Sequence, residues 1–436
     1  MAACLRVALL SGRTVWLDVD PSLTMEALQL QVRWSLNVGD GVLRTANGEP
    51  LDGATTVTEA GLQTDDTLTY QLKPLQRVAN DCAWAEVQGD GSVVTWGSAL
   101  HGGESSAVQK QLQDVLSVEA TSSAFAALRR NGCVVCWGDP GLGGDCTAVE
   151  QRLHGAAQVR GSRGAFAALC DGRVVTWGNA RFGGDSSSVK EQLHGARQIC
   201  STNTAFASLH EDGRVVTWGN ASHGGDCSAV QHHFNVQKVL LLRATSGAFA
   251  ALLDNGCAVS WGHTDFGGDT SRVQEQLTNI QQIRASRHAF AALREDGRVV
   301  TWGDSRNGGD SRDVQPQLDS VQALHATRGA FAALRHGGRV TTWGNEASGG
   351  DCSCVREQLQ DVKEVHATTS AFAALLGNGS VVAWGDATCG GNSSGIQEQL
   401  KDVRAVEATS FGFEALLTTG AVVGWGDTWR HSDFFA

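Results

Sequence analysis

The chain has 436 residues, of which 42% are hydrophobic and 18% charged, the balance of a folded globular protein and not of a disordered one. Its formal net charge is −12 and no block of Lys and Arg occurs anywhere, which argues against nucleic acid or an anionic membrane as partner. No apolar run nears the roughly 20 residues that a membrane-spanning helix needs, and 53 glycines against 5 prolines point to many tight turns.

The first segment alternates. Leu5, Val7 and Leu9, a turn at Ser11-Gly12, then Val15, Leu17 and Val19 read as a hairpin. With Arg6 inside it, this start is unlike a secretion signal. Pro21-Ser22-Leu23-Thr24 breaks the strand and offers hydroxyl caps to a helix through Met25, Leu28, Val32 and Leu36. Val42-Leu43, a turn at Asn47-Gly48, Leu51 and a strand over Thr67–Leu72 complete a β-grasp pattern.

These residues resemble ubiquitin. Leu10-Ser11-Gly12-Arg13-Thr14, Val19-Asp20-Pro21-Ser22, Pro50-Leu51-Asp52-Gly53 and Asp66-Thr67-Leu68 carry the likeness, over residues 1–74. The resemblance implies a folded module with a partner-binding patch. Leu10 keeps the first element of that patch, whereas Arg44 and Gln71 stand where the family has apolar residues. The family's terminal diglycine is replaced by Leu72-Lys73-Pro74-Leu75, so the module is not expected to be conjugated.

Residues 75–436 are built on a repeat. Trp-Gly pairs begin at Trp96, Trp137, Trp177, Trp218, Trp261, Trp302, Trp343, Trp384 and Trp425, a spacing close to 41 residues. In the unit 282–321, Gln282–Ser286 reads as a strand and Arg287-His288 as a turn. Ala289–Leu293 is a second strand with Phe290 and Ala292 on one face, Asp296-Gly297 a two-residue type I′ hairpin, and Val299–Trp302 the returning strand. A four-residue variable tip and Gly308-Gly309-Asp310 follow.

An acid recurs at the last of these positions, as Glu104, Asp145, Asp185, Asp226, Asp269, Asp310 and Asp351, with Asn392 in the eighth copy. One carboxylate per repeat cannot give one calcium ion its six or more oxygens. The acids read instead as caps of short helices, with capping-box spacing at Ser106–Gln109 and Ser271–Gln274. The repeated Phe and Trp read as core, buried where neighbouring sheets stack.

The unit resembles that of the regulator of chromosome condensation family. The shared features are the small residues before Ala-Phe, the Asp/Asn-Gly hairpin, Val-Val-Thr-Trp-Gly and the glycine pair. The resemblance implies a mainly β fold: a β-propeller of eight to nine three-stranded blades joined by short helices, the alternative being an open spiral of the same units. Closure into a ring is favoured, because an open end leaves aromatic faces and strand edges uncovered. Two departures are a period shorter than the family's and Ala-Phe where the family has a histidine.

The 13 histidines do not recur beside a nucleophile and an acid, so the expectation is a protein with no catalytic, cofactor or metal site. The 12 scattered cysteines read as reduced thiols; Cys133 and Cys136, three apart in a strand, face opposite ways. Comparison among the copies isolates two variable stretches, the tip after Trp-Gly and the turn before Ala-Phe. These, with the ubiquitin-like patch, supply the candidate protein-binding residues: Leu10, Arg44, Gln71, Arg163, Phe182, Phe266, Arg287, His288, Arg306 and Arg328. The expected function is a non-enzymatic interaction or scaffold protein of the cytoplasm or nucleus. The alternative from the resemblance is a regulatory accessory of a ubiquitin ligase, or an exchange factor for a small GTPase.

Overall fold

The computed structural model describes residues 3–9, 14–36, 41–45, 51–53, 55–72, 76–89, 91–419 and 422–426. The N-terminal unit holds strands β1 (Ala3–Leu9) and β2 (Thr14–Val19), helix α1 (Met25–Leu36), β3 (Gly41–Arg44) and β4 (Thr67–Leu72). The strands form one mixed sheet in the order β2-β1-β4-β3, with β1 and β4 parallel. The Thr24 hydroxyl accepts the Ala27 N–H at 3.3 Å, as an N-cap does. Leu28, Val32 and Leu36 of α1 then pack on Leu5, Val7, Leu43, Leu68 and Tyr70. The turns predicted at Ser11-Gly12 and Asn47-Gly48, and the boundary at 74/75, fall wholly or partly outside the described residues.

From Gln76 onward the structure repeats nine times. Each unit is a three-stranded antiparallel sheet in sequence order, from Gln76–Ala79, Ala83–Val87 and Val93–Gly97 in unit 1 to Val403–Ala408, Gly412–Leu417 and Val422–Gly426 in unit 9. Within a sheet Phe and Trp are cross-strand partners: Phe125 pairs with Trp137, and their rings lie 5.3 Å apart and nearly parallel. The opposite face of the same strand carries Ala124, Ala126 and Leu128. The aromatic face of each sheet packs on the Ala-Ala-Leu face of the one before, so Phe166 and Trp177 of unit 3 bury against Ala124, Ala126 and Leu128 of unit 2. Small residues on one side let the large rings on the other approach the sheet. Each buried aromatic contributes roughly 1.5–3 kcal/mol.

The glycine pair locks this stacking. Gly102 has φ +87°, and a Cβ there would lie 2.8 Å from the Phe125 ring of the next unit. Its carbonyl accepts the Trp137 indole N–H at 3.0 Å. A Cβ on Gly103 would lie 2.4 Å from the backbone of Gly97. Trp indole N–H groups in units 2 to 9 all donate to the matching glycine of the preceding unit.

The units close into a ring, and the open spiral is not adopted. The turns of units 1 to 8 each donate a backbone N–H to the turn of the next, from Asp81 to Ser122, Arg163, Asn203, Ser246, Arg287, Arg328, Thr369 and Ser410, at 2.7 to 3.3 Å. The first and ninth units then meet, with the Trp84 and Phe411 rings 5.6 Å apart. The first strands of consecutive units contact one another and so line the axis.

Four local features differ from the expectation. The first strand of the unit chosen above runs Ile280–Ala285 and carries a bulge between Ile280 and Gln282. The hairpin is not the two-residue type I′. Arg294 N–H bonds Arg298 at 2.9 Å across three residues, and only Gly297 (φ +77°) is left-handed. Unit 3 alone among the described hairpins closes on two residues, Asp171 and Gly172 at +47° and +74° between the paired Cys170 and Arg173; unit 7 has two left-handed residues, Gly337 and Gly338, in a three-residue loop. The linking helices are short 3-10 turns, such as Ser305–Asn307 and Gln315–Gln317, apart from one α-helical turn at Gln231–Phe234. The capping box does not form as spaced. Ser105 and Thr270, one residue earlier, donate to Gln109 and Gln274, and those amides reach back to the Val93 and Ala258 carbonyls.

Candidate binding face

The tip and the turn, separate variable stretches in sequence, form one surface at one end of the ring. A hydroxyl joins them in seven units. Thr121, Ser162, Thr202, Thr245, Ser286, Thr327 and Thr368, each three residues before the Ala-Phe alanine, donate to the last carbonyl of the tip at 2.8 to 3.1 Å. Six of these hydroxyls also cap their own turn by accepting the alanine N–H, as Thr245 does from Ala248 at 3.0 Å. The tip is a 3-10 turn started by an Asx cap, as where Asp304 accepts the Arg306 N–H at 2.8 Å. Function-bearing side chains thus stand on loops held rigidly by a repeated scaffold.

Arg163, Arg287 and Arg328 are exposed in the turns. Because the backbone groups of the turn residues bond around the ring, their side chains are left for other work. Phe182 and Phe266 sit on the tips, each covering a turn glycine: a Cβ on Gly164 would lie 2.6 Å from the Phe182 ring, and one on Gly247 2.3 Å from that of Phe266. Phe266 also stacks on His288 of unit 6 at 4.5 Å and on His263 at 4.8 Å, and His223 of unit 4 completes the cluster 5.3 Å from His263. Burial, then the neighbouring Arg287, lowers the basicity of His288; burial and then His263 do the same to His223. The cluster is an aromatic patch bordered by guanidinium groups, with His223 and His288 biased toward their neutral forms. Arg306 lies beside it, paired with Asp304 at 3.2 Å.

The structure thus brings Arg163, Phe182, Phe266, Arg287, His288, Arg306 and Arg328 to one face. His223 and His263 belong to it as well. The signal for them was the Ser or Thr three places before Ala-Phe, whose recurrence marks a fixed link between turn and tip. Of the N-terminal candidates, Leu10 lies outside the described residues. Arg44 ends β3 paired with Thr69, and Gln71 follows two residues along β4. Trp16, 54% exposed, is an aromatic on this sheet that the sequence reading passed over.

The recurrent acids are used locally. Asp145, Asp185, Asp226, Asp269, Asp310 and Asp351 each accept the N–H two residues on, at 2.8 to 3.1 Å. These bonds hold Asp145, Asp185 and Asp269 below the usual carboxylate range. Among the described residues no group of three or more His, Cys, Asp and Glu is placed to hold a metal. All 12 cysteines are unpaired, and Cys133 precedes the strand that holds Cys136. No helix among the described residues is long and apolar enough to cross a membrane.

No protein-family model matches the chain, and no curated protein matches it in sequence. Solved structures similar to it include Prp20p of Saccharomyces cerevisiae, described with its binding to Gsp1p and histones, at 15% identity and a TM-score of 0.37 over 71% of this chain and 82% of that one. The same yeast protein, RCC1 (Prp20), bound to Kap60 gives 16% identity and 0.36, over 58% and 73%. The ectodomain of the Arabidopsis thaliana receptor kinase ACR4 gives 16% and 0.34, over 71% and 95%. The ring is defined by its own strand order and hydrogen bonds.

Proposed function

We propose that this chain is a non-enzymatic interaction protein in which a ubiquitin-like module is joined to a propeller of regulator-of-chromosome-condensation-like repeats, and that the turn-and-tip face binds a protein partner. The carrying observation is the convergence of side chains from units 3 to 7 on one rigid face. It presents aromatic and arginine groups of the kind that dominate binding energy at interfaces. The fixed positions build the ring, whereas the positions that differ between units are gathered where a partner can reach them.

The test is affinity purification with the full chain and with a Phe266→Ala/His288→Ala variant, followed by quantitative mass spectrometry. The expected result is a small set of proteins whose recovery falls at least tenfold with the variant. Recovery of no specific protein, or of the same set with both, would refute the reading. Acceleration of nucleotide release from a panel of small GTPases would instead make the chain an exchange factor. For the N-terminal module, Arg44 stands where an apolar docking residue is expected, and interface cores tolerate charge poorly. Ubiquitin-interacting motifs should therefore bind the full chain far more weakly than they bind ubiquitin, and Arg44→Ile/Gln71→Val should raise that binding.

A further inference from the structure

The mouth of the channel, inside the turn-and-tip face, has a charge pattern unlike that of the whole molecule. Nine turn residues, one per unit, form its rim. Three are arginines and one is an acid, Asp81, in a chain with a formal net charge of −12. Together with the ends of the first strands, the rim encloses a cavity of about 840 Å³. Arg163, Arg287 and Arg328 are exposed, and among the described residues none of the three is in an ion pair. The fourth arginine of the lining, Arg77, is committed to Glu86 at 2.8 Å.

The three are distributed in a way that specifies valence. Arg287 and Arg328 occupy consecutive places, joined by a backbone hydrogen bond of 2.8 Å, and burial together with Arg287 makes Arg328 easier to deprotonate than usual. Two adjacent guanidinium groups repel, an arrangement that an anion between them relieves. Arg163 stands three places away around a ring of nine, across the mouth from that pair. Arg243 and Arg284 lie deeper along the same arc, on the first strands of units 5 and 6. They are held by the Leu242 and Leu324 carbonyls at 3.1 and 3.0 Å, and no carboxylate is paired with them among the described residues. The acids on the first strands, Glu119, Glu364 and Glu407, belong to units 2, 8 and 9; Glu119 is paired with Arg160 at 2.6 Å and Glu364 with His366 at 3.2 Å.

We infer that the mouth binds a small polyanion, an oxyanion with at least two charged groups, one held by Arg287 and Arg328 and another facing Arg163. Guanidinium forks suit phosphate and carboxylate alike. The cavity has the size of a small-ligand site, and rim groups such as Ser122, Asn203 and Ser246 supply the neutral hydrogen bonds. This site does not depend on the protein-partner reading, because purified ligand alone reports on it.

The test is isothermal titration of the full chain at low ionic strength with inositol hexakisphosphate, pyrophosphate and citrate, and with an octaglutamate peptide as a fourth arm. The phosphates and citrate separate the two oxyanion sources. At least one of the three small anions should bind at one site per chain, and the affinity should fall with added salt. Arg287→Ala/Arg328→Ala should weaken binding at least tenfold and Arg163→Ala at least threefold. Arg356→Ala, which removes one such charge from the exposed C-cap of the 3-10 turn Ser353–Val355, should change it less than twofold. Thermal unfolding of each variant without ligand verifies that the ring is intact, since the backbone carries the rim bonds. Absence of binding by all three small anions, binding by octaglutamate only, or equal weakening by Arg356→Ala would overturn the inference.

Discussion

Eight of the nine interfaces in the ring are made alike, and the ninth is not. Between units 7 and 8, Phe372 and Trp384 lie on Ala330, Ala332 and Leu334, an apolar joint with Trp384 only 1% exposed. Between units 9 and 1 the sequence differs on both sides: unit 9 has Gly412, Glu414 and Leu416 at the places of Ala330, Ala332 and Leu334, and unit 1, whose Trp84 meets Phe411 at 5.6 Å, has Trp84, Trp96, Arg77 and Glu86 at the places of the aromatic face. Glu86 is 1% exposed and held by Arg77 and by the Gln88 amide at 2.8 Å. Trp96 remains 37% exposed, and Arg77 lies 5.6 Å above its ring. The regular joints are held by burial and shape. At the seam part of that burial is exchanged for a charged pair that lies within unit 1, between the cross-strand partners Arg77 and Glu86.

The largest effect should come from the regular joints. Phe331→Ala removes a ring with no exposed surface from a close-packed layer, and should lower the unfolding free energy of the ring by about 4 kcal/mol, read from urea denaturation. At the seam, Arg77→Val leaves the Glu86 carboxylate buried without its guanidinium, at a cost of about 3 kcal/mol. Arg77→Val/Glu86→Ala restores the residue types of the other units and should recover most of that loss. If the double variant is no more stable than the single, the seam is not the separable charged joint described above. Hydrogen exchange of Arg77→Val should show protection falling in units 1 and 9 together.

Smaller effects follow from titration. Burial, then Glu407, raises the Glu414 carboxyl above its usual range. A raised acid favours the folded state at low pH and loses that advantage as pH climbs through its folded value. Glu414→Gln should therefore raise the unfolding midpoint by about 2 °C at pH 7 and leave it unchanged at pH 4. On the channel wall, burial, Arg284 and His366 hold His325 at about 4 against an ordinary 6.5. Between those values the unfolded chain takes up a proton that the ring refuses, so stability falls as pH is lowered from 6.5 to 4. His325→Gln should flatten part of that slope in a midpoint-against-pH series.

The repeat length, the three strands of each unit and the core role of Phe and Trp follow from local pattern. Alternation fixes which residues share a face, and a sheet face with one Phe and one Trp must be covered by something. The N-terminal strands and helix follow in the same way from Leu5, Val7, Met25, Leu28 and Val32. The hairpin type was misread because Asp296-Gly297 is compatible with both a two-residue turn and the end of a three-residue one. The preceding Glu295 and the pairing of Arg294 with Arg298 decide between them, and that is a matter of register. The capping box failed for a related reason, since Ser105 and Thr270 are drawn to the third strand by the glutamine that reaches back to it.

Closure, the common face and the charge of the channel mouth belong to the tertiary structure. Nine copies of one unit are compatible with a ring or a spiral, because the angle between neighbouring sheets is set by side-chain volumes across each joint and by the turn-to-turn bonds. Turn and tip lie about 20 residues apart in the chain, and only folding the third strand back beside the second brings Ser286 to the Asn307 carbonyl. Arg163, Arg287 and Arg328 are separate variable residues along the chain. They become a single binding surface because the sheets that carry them stand around one axis.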